Sequence, residues 1–153
     1  RQSGHSIISR LSSLRSSKDT ILSETEQLDL LGPSVHHLST TFIIDCIKAV
    51  ALNISKMKLL DDPADACIYH MVEAFAKPVG MTQQCPRDKQ LGCAYVDTLH
   101  GADNVGHANA LLSYSWGYKV QDVVDALVNW TLRANHSRKR TYVWICSLCL
   151  NQH

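Results

Sequence analysis

Proline and glycine are scarce in this 153-residue chain, with four and seven residues, which excludes collagen-like and low-complexity classes. An excess of one charge is also missing. Fifteen Lys and Arg face fourteen Asp and Glu, for a formal net charge of +1, so there is no general electrostatic case for nucleic acid or an anionic membrane. Long apolar runs are absent: the stretches 42–44 and 49–52 are broken by Asp45, Lys48 and Asn53, well short of the roughly 18 residues of a membrane-spanning helix. No P-loop and no Gly-x-Gly-x-x-Gly pattern occurs, and spacing alone assembles neither a carboxylate pair nor a nucleophile–base set. What is present is 45% hydrophobic residues, enough for one domain, or one small domain with an extension, to bury a core.

Six cysteines (46, 67, 85, 93, 146, 149) lie in a chain too large to need disulfide staples, so the thiols read as reduced and the protein as intracellular. Cys46 and Cys67 fall on the apolar faces of expected helices and read as small hydrophobes. Residues 1–18 form a Ser/Arg-rich extension with four basic residues and no acid. That composition is shared by organelle transit peptides, plastid or mitochondrial, and by plain surface extensions.

Residues 19–78 read as helical. A short amphipathic helix is expected over 19–31, ended by Gly32-Pro33. A stronger one is expected over 40–59, with Ile43, Cys46, Ile47, Val50, Ala51 and Ile54 as its buried stripe. A third opens at Asp62-Pro63 and stops before Pro78. Residues 79–108, punctuated by Gly and Pro, read as a connecting segment, with a strand or helical turn over 94–99. Then the pattern changes. Residues 109–114 (NALLSY) have strand length, and Val120, Val123, Val124, Leu127, Val128 and Thr131 repeat as one helix face. Residues 142–146 (YVWIC) form a second β-prone run. Strand, helix, strand at this spacing predicts a βαβ unit with parallel strands.

The motifs ALLSYSWG (110–117) and YVWICSLCLNQ (142–152) resemble the "ALSYxWG" and "WIDxLCINQ" motifs of the heterokaryon-incompatibility (HET) family. They are also similar to the "VSHAWG" and "WxDxFxxNQH" patterns of a set of algal and protist proteins. Both groups are similar to Toll/interleukin-receptor (TIR) domains. The resemblance covers 110–153, under a third of the chain. It implies an α/β fold: a helical N-terminal half, then the first βαβ of a flavodoxin-like (TIR-like) parallel sheet, a partial domain over 109–153 whose remainder lies beyond it. It further implies a signalling or assembly module acting by protein–protein association, with a protein partner or a second copy, and NAD or a related nucleotide as ligand. Some TIR domains hydrolyse NAD through a glutamate on a later helix, which maps onto no residue here. Cys146 stands where the family has an acid, which removes a carboxylate from the end of the second strand.

Ligands of open parallel sheets gather outside the carboxyl ends of the strands. Ser113, Ser115, Trp116 and Gly117 follow the first strand and are the expected cofactor-binding rim: amides of the next helix for a phosphate, a hydroxyl, and an indole to stack on. The bland alternative makes Ser115 an ordinary helix cap, Trp116 a core residue and Ser113 an inward structural one. Cys146-x2-Cys149-x3-His153, with Cys85 or Cys93, has zinc-compatible spacing, but on an extended strand its first members would point apart. His36, His37 and His70 read as surface or satisfied core histidines, and Arg138-Lys139-Arg140 as a solvated turn. A competing reading of the whole is a non-catalytic accessory subunit packed into a larger, organellar complex.

Overall fold

The structure, a computed structural model, describes residues 8–9, 22–56 and 60–153. The rest of the N-terminal extension and the expected start of the first helix lie outside the described residues. The fold is mixed α/β, with two small sheets among helices.

Helix α1 (Glu24–Asp29) is opened by Ser23, whose hydroxyl accepts the Glu26 N–H while the Glu26 carboxylate accepts the Ser23 N–H. This reciprocal box satisfies two amides that the first turn leaves free. The chain then extends as β2 (Leu31–Pro33) and turns at Ser34 into α2 (Val35–Lys56). Alpha-helical at its start, α2 widens through Leu38–Phe42, returns to α geometry over Ile43–Asn53 and tightens at Ile54–Lys56. By length and composition alone its 22 residues are long and apolar enough to cross a membrane. The sequence reading, which counted only unbroken apolar runs, does not register this.

A wide turn carries more residues per revolution than an α turn and rotates everything that follows. The buried face of α2 is Val35, Leu38, Phe42, Ile43, Cys46 and Val50. Of the expected stripe, Ile47 and Ile54 are half-buried and Ala51 is exposed. His36 and His37 lie inside this helix rather than before it, and buried His37 meets the Tyr95 hydroxyl through Nε2 at 3.0 Å.

Asp62-Pro63 does start a helical turn, with the Asp62 carboxylate accepting the Ala64 N–H, but the turn is only Pro63–Asp65. The chain straightens at Cys67, and α3 (residues 68–81) begins there. Nor does α3 stop before Pro78. Its middle, Val72–Ala76, is a second wide turn in which the Lys77 N–H donates to the Val72 carbonyl. In a regular helix the proline ring would strike the carbonyl four residues back; the wide turn relieves that spot and the helix runs through. Phe42, Phe75 and Tyr95 meet where α2, α3 and the turn Tyr95–Thr98 converge, their ring centroids 5.4–5.7 Å apart.

The two apolar runs of the C-terminal third become β4 (Ala110–Leu112) and β5 (Val143–Trp144), joined by α4 (Val120–Arg133). They pair in parallel, Ala110 opposite Val143 and Leu111 opposite Trp144, as the sequence predicts. A short helix, α5 (Cys146–Cys149), follows β5 directly. The first half is not wholly helical, however. β1 (Ile8–Ser9) pairs antiparallel with the other edge of β4, giving the order β1-β4-β5. β2 pairs antiparallel with β3 (Val105–His107) in a second sheet. Next to it, Ser34 bridges Tyr142, and the Val35 N–H donates to the Thr141 carbonyl. Gly32 passes so close that a Cβ there would lie 2.5 Å from the Val143 carbonyl oxygen. The outer edge of β5 is therefore covered by the chain that leads into α2.

Candidate functional site

The segment between β4 and α4 lies at the carboxyl ends of the two parallel strands. Residues 115–118 make a tight turn: the Tyr118 N–H donates to the Ser115 carbonyl at 3.0 Å, and the Gly117 N–H to Ser115 Oγ at 3.4 Å. Ser115 is therefore a turn residue. The residue that precedes α4 is Lys119, with no side-chain cap. Trp116 is 42% exposed and Tyr118 47% exposed, so neither belongs to the core.

The turn is held from behind by α3. The Ile68 N–H donates to the Tyr118 carbonyl at 3.0 Å and the Tyr69 N–H to the Trp116 carbonyl at 3.3 Å. Cys67 bridges Lys119, and the Val120 N–H donates to the Ala66 carbonyl at 2.9 Å. Amides that open α3 need acceptors, and the rim carbonyls supply them. The first amide of α4, expected to be free for a phosphate, is already bound.

An open groove of about 270 Å³ lies beside this turn, lined by Leu112, Ser113, Tyr114, Tyr118, Asp122, Val123 and Ala126. Ser113 is exposed and faces it rather than the core. Of the four residues expected at the rim, Ser113 alone lines the groove; Ser115, Trp116 and Gly117 form the neighbouring lip. Tyr114, Tyr118 and Asp122 were missed. The first two are in the quoted motif and its next residue; Asp122 lies off the apolar face by which the sequence marks α4.

Tyr114 also ties the strand ends together. Its hydroxyl accepts the Ser147 N–H at 3.0 Å and lies 3.1 Å from Cys146 Sγ. Burial, with the adjacent Cys146 thiol, pushes its pKa up to about 12, so it stays a protonated phenol at neutral pH. Among the described residues no basic side chain lines the groove, and the Asp122 carboxylate stands on its wall. Lys119, the nearest cation in sequence, is turned to Asp65 at 2.5 Å. The groove thus offers two phenol rings, a hydroxyl and one carboxylate: a surface for a flat, neutral or positively charged group, and a poor one for phosphate.

The helical turn of α5 sets Cys146 and Cys149 three residues apart on a helix, not on an extended strand. Even so, among the described residues no three His, Cys, Asp or Glu side chains gather as a metal would require. Cys149 is buried and accepts the Ile145 N–H, and all six cysteines are free thiols.

The fold and groove define a small mixed α/β protein with an aromatic lip at its parallel strand ends. Comparison with family models, with curated proteins and with solved structures finds no match for the chain.

Proposed function

We propose that the chain is an association module, a TIR/HET-like signalling or assembly domain in which residues 109–153 begin a flavodoxin-like sheet. The observation that carries the reading is the aromatic lip: Trp116 and Tyr118 stand exposed, on carbonyls pinned by α3. Exposed aromatics on a rigid support are what binding surfaces use, because they bring large contact area at little entropic cost. A protein partner or a second copy of the chain is the occupant of the lip. A nucleotide such as NAD would use the groove through its ring, against Tyr114, Tyr118 and Asp122, with its phosphates outside.

Sedimentation of the full chain with its Trp116→Ala variant tests the reading. A self-association constant weakened about tenfold, on the scale of an interface anchor, with an unchanged melting curve supports it; identical sedimentation and an identical set of captured partners refute it. Titrating NAD while following the part of the tryptophan fluorescence that Trp116→Ala lacks tests the ligand separately.

A second reading, a non-catalytic accessory subunit, is favoured by the outward side of α2. Ile44 is 52% exposed and Leu52 85% exposed, an apolar surface that packing into a larger complex would cover.

A further inference from the structure

The junction of rim and α3 holds two side chains that the proposed association does not use. Cys67 is the residue just before α3. Its Sγ lies 3.1 Å from Nδ1 of His70, and the same nitrogen accepts the Cys67 backbone N–H at 3.2 Å. A ring nitrogen that accepts an amide presents its lone pair, so the neutral ring carries its proton on Nε2 and Nδ1 is a base facing the thiol. The Tyr69 ring stands edge-on to the imidazole at 5.8 Å and steadies it.

Two further observations select the chemistry. Four of the six thiols (46, 85, 93, 149) are buried, leaving Cys67 and Cys146 half-buried. Cys146 faces the Tyr114 hydroxyl, which holds its own proton and offers no base. In addition, the amides at the start of α3 are spent: Ile68 on Tyr118, Tyr69 on Trp116, and Met71 on the Cys67 carbonyl. Among the described residues these amides leave no free pair to hold an oxyanion, which acyl transfer requires. A thiol with a base and no oxyanion hole is suited to direct displacement, with the leaving group taking the proton.

We propose that Cys67 is a modification site for peroxides. The Cys67 S–H proton passes to His70 Nδ1, the sulfur attacks one peroxide oxygen, and the O–O bond breaks. The departing oxygen takes the proton from the imidazolium. One thiol and one peroxide become a sulfenic acid and an alcohol, or water from hydrogen peroxide; sulfur loses two electrons and the peroxide gains them. The new oxygen sits at the root of the rim, since Cys67 is bridged to Lys119.

The test uses the full chain, hydrogen peroxide and a dimedone trap, with adducts located by peptide mapping. The expected result is an adduct on Cys67 about tenfold above that on Cys146, following the advantage of a base-paired thiol. In His70→Asn, which keeps an acceptor for the Cys67 N–H, labelling falls to the Cys146 level. Equal labelling of the two cysteines, or undiminished labelling of Cys67 in His70→Asn, overturns the proposal. Iodoacetamide labelling of the unaltered chain needs no variant: a Cys67 to Cys146 rate ratio near ten supports the site, and one near unity removes it.

Discussion

Tyr114 does at the residue scale what the parallel pairing does at the scale of strands. One hydroxyl joins the end of β4 to the first turn of α5. In Tyr114→Phe the Ser147 N–H loses its acceptor while the ring's packing is kept. The expected cost is about 1 kcal/mol, the ordinary net worth of such a bond, read as a lowered urea midpoint at unchanged slope. Residue-scale legibility in the sequence was uneven. The strand-end segment was found, because the two apolar runs and the helix between them locate it. The groove was not, since Tyr114, Tyr118 and Asp122 converge only when α4 packs beside β4. The pair Cys67 and His70 was hidden for a different reason: Asp62-Pro63 reads as the start of one continuous helix, which makes Cys67 a core thiol. The break at Ala66 makes it the residue that opens α3.

At the element scale, periodicity served best where the helix is regular throughout and was incomplete where it is not. α4 was legible almost to its ends because all four of its turns keep α geometry and one face stays buried. In α2 the expected stripe starts at Ile43, past the wide turn, so Leu38 and Phe42 at the two ends of that turn are left out although both are buried; Ile43, Cys46 and Val50 are buried as expected. Phe42 ends the wide turn of α2 and fills the joint with Phe75 and Tyr95. Phe42→Ala should cost about 3–5 kcal/mol, as for other buried aromatic truncations, measured by chemical denaturation. A cost below about 1 kcal/mol, the size of an exposed change, would show that the joint is not the core.

At the scale of the whole molecule, one side chain clasps the end of α1 to the middle of the chain. Arg87 donates from Nε to Asp29 at 2.7 Å, from Nη1 to Asp97 at 2.6 Å and from Nη2 to the Leu28 carbonyl at 2.9 Å. The Asp97 side chain is 1% exposed, so removing its partner strands a charge away from water. Arg87→Ala should therefore cost about 3 kcal/mol and speed amide exchange across α1; an unchanged exchange pattern would show that α1 is held by other contacts.

By itself the sequence determined the helical face of α4, the two strands at its flanks and their common direction. Each of these follows from residues close together in the chain, and a strand–helix–strand run of that length closes in parallel. Only the tertiary structure decided that Ile8–Ser9 and Leu31–Pro33 are strands, that the rim rests on α3, and that Cys67 faces His70 with its thiol half-exposed. The strands and the rim depend on backbone hydrogen bonds between distant segments. The Cys67–His70 pair depends on where the chain breaks before α3. No local pattern of apolar and polar residues encodes either.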